Sequence, residues 1–114
     1  MFTRLEVSAM AHALAAHSSA RQSVIAANVA HADTPGYRAR DVEPFADHLR
    51  RLQREPGSAP RIAAAPPGVS LSPNGNSVSV ETELMKAVEA RHRFDMALTI
   101  TQSVSGIIRT SLGR

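Results

Sequence analysis

Five histidines, His12, His17, His31, His48 and His92, are the side chains of this 114-residue sequence best suited to metal binding or proton transfer, and their spacing serves neither. Two imidazoles on a helix share one metal when they stand four residues apart, and no two of these do. His92 and Asp95 stand one turn apart, as a carboxylate does when it orients an imidazole for a nucleophile. Arg91 and Arg93 flank the pair on a long predicted helix, which makes it part of a solvated charged face. Glu81 and Glu83 could be paired carboxylates for acid–base work, yet they fall in a first helical turn, where the positive end of the helix dipole accounts for both. Cysteine is absent, so disulfides, thiolate metal sites and cysteine nucleophiles are absent with it. The glycines are isolated, and no loop of the phosphate-cradling kind occurs. The residues therefore predict no catalytic, cofactor-binding or metal site, no cofactor, and no enzyme.

Thirteen Lys and Arg against ten Asp and Glu leave a net charge of +3. Residues 1–42, 43–73 and 74–114 each net +1, so the excess is spread rather than gathered. A nucleic-acid surface needs clustered cations that release counterions together, usually beside stacking aromatics. Aromatic residues make up only 4% of the chain, so no nucleic-acid partner is expected. No window holds the roughly 20 apolar residues that cross a bilayer, so no direct membrane insertion is expected either. The opening MFTRLEVSAMAHALAAHSSA lacks a basic stretch followed by an unbroken apolar run, and no cleavable signal peptide is predicted.

The elements that must carry whatever function remains are helical. Thr3 and Glu6 have capping-box spacing, with Phe2 and Val7 at hydrophobic-staple positions, so a helix is predicted from the first residues. Val7, Met10, Leu14, His17, Arg21, Val24 and Asn28 step by 3 and 4 as a heptad seam. Beside them Ala9, Ala13, Ala16, Ala20, Ser23, Ala27 and Ala30 form a face of small side chains. The helix is predicted to end near Asp33-Thr34-Pro35-Gly36, because Pro35 disfavours helical geometry at Thr34 and Pro-Gly suits the centre of a type II turn. Pro44, Phe45, Leu49 and Leu52 suggest a short helix. The stretch EPGSAPRIAAAPPGVSLSPNGN reads as a loop-rich connection in which 61–64 or 69–71 could form a brief strand.

The last third is the strongest element, a helix predicted over Val80 to Leu112 with Ser79 as its cap. Val80, Leu84, Ala87, Arg91, Phe94, Leu98, Thr101, Ser105, Ile108 and Leu112 sustain a coiled-coil period for over four heptads. Such a helix is roughly 50 Å long. A globule of this chain length is nearer 30 Å across, so the expected form is a rod or hairpin. The predicted fold is all-α: two long terminal helices in a coiled-coil-like hairpin joined by a Pro/Gly-rich middle. Its segments are 1–42 (helix and turn), 43–76 (connection) and 77–114 (helix). The polar seam positions His17, Arg21, Asn28 and Arg91 leave two readings open, a face that meets water or buried polar groups that fix register in an assembly. The candidate assembly interface is Val7, Met10, Leu14, Val24, Leu84, Phe94, Leu98, Val104, Ile108 and Leu112.

Residues 21–42, RQSVIAANVAHADTPGYRARDV, place Asn28, Ala30, Asp33 and then Thr34-Pro35-Gly36-Tyr37 after a heptad-bearing helix. This ordered run resembles the N-terminal signature of the bacterial flagellar rod, hook and filament-cap-proximal proteins, whose usual pattern has asparagine where this chain has His31. Asn76 and Val78 ahead of the last helix are similar to the rod family's C-terminal Asn-x-Val start. Larger relatives insert β domains between the helices, for which 114 residues leave no room. The short middle and the run Arg38-Ala39-Arg40-Asp41-Val42 resemble the proximal rod members. The unbroken TPGY separates the chain from the other short proximal rod protein, in which the turn tends to be interrupted before its tyrosine.

The resemblance implies a structural subunit of the basal-body rod, located in the periplasm and exported unfolded through the flagellar type III apparatus. It implies contacts with other rod subunits, with copies of itself and with membrane-ring and rod-junction proteins, in support of motility. A small exported helical-hairpin interaction protein would share the period but would not need the run from Asn28 to Tyr37.

Overall fold

A computed structural model describes residues 3–66 and 71–113. The order is α1 (Arg4–Ala30), β1 (Arg40–Val42), α2 (Phe45–Arg54), β2 (Ile62–Ala64) and α3 (Val80–Ser111). The molecule is a rod of 63 × 27 × 19 Å.

Local chemistry sets the helix ends. The Thr3 hydroxyl accepts from the Glu6 amide at 3.1 Å while the Glu6 carboxylate accepts from the Thr3 amide at 2.7 Å, a complete capping box. Phe2, the other half of the expected staple, lies outside the described residues, as do 69 and 70 of the alternative strand at 69–71. Ser79 caps α3, its hydroxyl accepting from the Thr82 amide at 3.4 Å. Pro44 stands just before α2, and its carbonyl accepts from the Asp47 and His48 amides. In the turn after α1, the Tyr37 amide donates to the Thr34 carbonyl at 3.2 Å and Gly36 takes φ of 74°, the type II geometry expected for Thr-Pro-Gly-Tyr.

The helices α1 and α3 run antiparallel, since Asn28 bonds Glu83 near one end and Arg21 pairs with Glu89 further along. The expected all-α class needs correction. Arg40, Asp41 and Val42 pair with Ala64, Ala63 and Ile62 in a two-stranded antiparallel sheet, so part of the Pro/Gly-rich middle is a strand. The strand falls within 61–64, one of the two places where the sequence left a brief strand open, although its residues are exposed and alanine-rich. The chain is extended there because β1 supplies its partner.

The seam of α3 also needs correction. Its buried and half-buried positions include 83, 87, 90, 94, 97, 100 and 104, so of the expected seam Ala87 and Phe94 lie on the covered side. Leu84, Arg91, Leu98 and Ser105 are one residue out of phase and exposed; the covered places go to Glu83, Ala90, Ala97 and Val104. Ala90 and Ala97 are wholly buried and small enough to admit a helix at close range, which turns the leucines outward. On α1, Val7, Met10 and Leu14 are half-buried and His17, Val24 and Asn28 buried, joined by Ala11, Ser18 and Ile25. Of the small-residue face, Ala9, Ala16, Ser23 and Ala30 are exposed. Few large apolar groups are buried, and polar side chains share the interior.

Candidate functional site

The run from Asn28 to Tyr37 closes into one hydrogen-bonded knot where α1, β1 and the start of α3 meet. Asn28 is in the last turn of α1 and is fully buried. Its carboxamide nitrogen donates to the Arg40 carbonyl at 2.7 Å and to the Glu83 carboxylate at 3.1 Å. Its oxygen accepts from the Tyr37 hydroxyl at 3.0 Å and from the Arg40 amide at 3.1 Å. Both donors and both acceptor sites of the side chain are therefore used. One residue ties α1 to the turn, to the first strand and to the second long helix.

A second asparagine holds the turn from the other side. Asn76 is 1% exposed, and its side-chain nitrogen donates to the carbonyls of His31 and Thr34, each at 2.8 Å. These carbonyls also accept the Thr34 and Tyr37 amides, so Asn76 adds a second bond to each and pins the turn from outside. Its oxygen accepts from the Val78 amide at 2.8 Å. The Gly36 amide donates to Asn74 and the Ser77 amide to Tyr37, so the chain leaving α1 runs beside the chain entering α3. Gly36 is the residue whose positive φ permits the crossing. His31 keeps the helix-end bond: its Nδ1 donates to the Ala27 carbonyl at 2.8 Å, and its ring stacks on Tyr37 at 4.7 Å, nearly parallel.

Charges flank the knot. Arg21 donates to Asp41 at 3.2 Å and lies 3.3 Å from Glu89, while Lys86 bridges Asp41 at 3.4 Å and Glu83 at 3.5 Å. Burial works to raise the pKa of Asp41, but the Val42 amide, the Arg21 guanidinium and Lys86 outweigh it and hold the carboxyl below its ordinary value. Among the described residues, no group of His, Asp and Glu is placed to hold a metal. What the arrangement does chemically is position: it fixes the angle between two long helices and a strand.

The family described as flagella basal body rod protein matches residues 5–38, which hold α1 from its second residue onward and the turn. The flagellar basal body rod protein FlgB of Salmonella typhimurium is 32% identical over 105 residues, spanning 73% of this chain and 75% of the relative. This chain belongs to the flagellar basal body rod protein FlgB family. The Escherichia coli FlgB is 32% identical over 111 residues, spanning 78% of each chain, and that of Agrobacterium fabrum 29% over 102 residues.

Against this FlgB-family frame, the structure brings Asn28, Thr34, Gly36 and Tyr37 together, with Pro35 at the turn's second position. Ala30 and Asp33 are exposed and sit beside the knot without a side-chain bond in it. The sequence reading missed Glu83 as a knot residue. The dipole explanation suits Glu81, which is exposed, whereas Glu83 is 2% exposed and serves Asn28 and Lys86. Lys86 is the sole lysine of the chain and stands three residues after Glu83, a local signal that could have marked the pair. Arg40 and Ser77 join chiefly through backbone or across long separations and had no such signal. Of the candidate interface, Leu84, Leu98, Ile108 and Leu112 stand exposed, Val7, Met10, Leu14, Phe94 and Val104 are half-covered within the chain, and Val24 is buried in the chain's own core, out of a neighbour's reach.

Proposed function

We propose that this chain is a structural subunit of the proximal part of the flagellar rod, built in by packing of its long helices against neighbouring subunits. The observation that carries this reading is the division of α3 into two faces. Toward α1 it buries Glu83, Ala90 and Ala97, while Leu84, Met85, Val88 and Leu112 remain 58%, 75%, 72% and 69% exposed. A chain that hides its alanines and leaves its leucines in water is unfinished as a monomer. Side-by-side packing around an axis would cover that face, each fully buried Leu or Val contributing about 1.5–3 kcal/mol. The heptad period of α1 and α3 then serves a coiled-coil-like packing that includes neighbours' helices, with 1–42 and 77–114 as assembling segments and 43–76 filling the space between them.

Many distributed contacts between stiff helices suit torque transmission. The partners in this reading are other rod subunits, further copies of the chain, and membrane-ring and rod-junction proteins. The small apolar core supports delivery as an unfolded chain through the type III apparatus to the periplasmic rod. The double variant Leu84→Gln/Leu98→Gln tests the assembly. Exposed positions of this kind change monomer stability by about 0.5 kcal/mol or less. The variant is expected to be made and to unfold like the parent, yet to be missing from purified basal bodies and to leave cells non-motile on soft agar. Normal incorporation and swimming would overturn the reading.

A further inference from the structure

A cluster of ionisable side chains lies beneath α2, away from the Asn28 knot and unused by the assembly reading. His17 on α1 and His48 on α2 are 3% and 1% exposed, their rings stacked with centroids 6.1 Å apart. Phe45 closes one side, edge-on to His17 at 5.5 Å. His17 Nε2 donates to the Glu43 carbonyl at 2.6 Å, which ties α1 to the segment leading into α2, and His17 Nδ1 is buried without a hydrogen-bond partner.

The groups facing His48 come from every element around it. From α1 there is His17; from the β1–α2 connection there is Glu43, whose carboxylate stands 3.9 Å from His48 Nδ1. From α2 itself comes Arg51, 6% exposed, with its guanidinium 3.4 Å from the same nitrogen. Arg51 also donates to the Glu43 carboxylate and, at 3.1 Å, to the Ala59 carbonyl. The Arg61 amide, beside β2, donates to the same Glu43 carboxylate. One carboxylate and one guanidinium balance, so the cluster is neutral only while both imidazoles are uncharged.

We propose that His48, stacked on His17, is a pH-sensitive latch that holds α2 against α1 while its ring is neutral and releases α2 in a mildly acidic milieu. Neutral His48 can accept an Arg51 N–H at Nδ1. A proton on that nitrogen turns the acceptor into a second donor beside a guanidinium, in a place with little water. Glu43 could compensate, but it is already engaged by Arg51 and the Arg61 amide.

Burial is the main reason His48 ionises below its ordinary value of 6.5; Glu43 pulls it back up, and Arg51 and His17 push it further down. The docked state thus takes the proton less readily than the released one. Docking is at full strength above pH 6.5 and weakens as the pH falls from there toward the lower docked value. The α1–α3 contacts made by Asn28 with Glu83 and by Arg21 with Glu89 involve no histidine, so the release is local. It uncovers the half-buried Phe45, Leu49 and Leu52, the apolar side of α2.

The test is amide-exchange protection in the full-length chain between pH 7.5 and 5.0, with the His48 imidazole followed by NMR in the same samples. Residues 45–54 are expected to lose protection about tenfold or more between pH 6.5 and 5.0, while 83–97 hold theirs, and His48 is expected to titrate below 6.5. His48→Gln, which cannot take up a proton in this range, is expected to keep α2 protected throughout. Should that variant fail to dock α2 even at pH 7.5, the wild-type titration decides alone. Protection of 45–54 that stays flat to pH 5.0, a loss confined to pH below 4, His48 titrating at or above 6.5, or His48→Gln reproducing the wild-type profile would each overturn the latch.

Discussion

Replacing Asn28 by alanine removes four hydrogen bonds at one fully buried point, and the cost follows from who is left unpaired. Glu83 keeps Lys86 at 3.5 Å, and the Tyr37 hydroxyl is half-buried and can reach water, so both recover a partner. The Arg40 amide and carbonyl, which face Asn28 from β1, do not. Each orphaned group costs about 1–3 kcal/mol, and because Arg40 is partly open to solvent the lower half of that range applies, giving about 2–4 kcal/mol in all. With a domain stability of about 5–15 kcal/mol, that is a large share of the total. Urea unfolding of the purified chain followed by far-ultraviolet circular dichroism reads it. With a slope of about 2 kcal/mol per molar, the middle of the usual range, the midpoint should fall by about 1–2 M. Tyr37→Phe, which deletes one bond to an oxygen still held by the Arg40 amide, should cost about 0.5–1.5 kcal/mol in the same assay. Asn28→Asp keeps the shape but faces the Glu83 carboxylate and the Arg40 carbonyl with oxygen. It should be worse than alanine at pH 7 and recover as the pH is lowered. A loss below about 0.5 kcal/mol for Asn28→Ala would refute the idea that this side chain fixes the helix angle.

Three further outcomes are expected. Gly36→Val should cost about 1–3 kcal/mol from backbone conformation alone, since a side chain there meets nothing within 4 Å, and should reduce motility more than Tyr37→Phe; equal incorporation of the two variants into basal bodies would make the turn a passive linker. The carboxyls of Asp41 and Glu43 are held below their ordinary values of 3.8 and 4.5 against the opposing effect of burial, by the Val42 amide and Arg21 in one case and by the Arg61 amide and Arg51 in the other. Their contribution is complete above pH 4.5 and is lost as the pH falls below 4, so the Arg21→Gln variant should show a weaker acid dependence in thermal unfolding scans. Truncation after Thr101 removes Val104, Ile108 and Leu112 but spares Ala90 and Ala97; the shortened chain should be synthesised and keep its knot, yet be missing from basal bodies, and normal swimming would exclude the end of α3 from assembly.

The features legible in the sequence are those made within a few residues. The Thr3–Glu6 box, the Ser79 cap and the Thr-Pro-Gly-Tyr turn each close through bonds between residues three apart, and covalent geometry alone brings such partners together. The length of α3 and the ordered run Asn28–Tyr37 follow from the same local rules, and they carried the family. The phase of α3 was not local. A stretch with apolar residues at 84, 85, 87, 88, 94, 96, 97 and 98 offers two heptad seams one residue apart, and hydrophobicity favours the bulkier one. The partner helix decided otherwise, because only the alanine seam lets α1 come close enough for Asn28 to reach Glu83. The roles of Glu83, 55 residues from Asn28, of Asn76, 45 residues from His31, and of the β1–β2 pair depend on which distant backbone arrives beside them. Sequence spacing set each helix and its ends, whereas the choice between faces was a competition between burying leucine and satisfying buried amides and carboxylates, settled only by the packed structure.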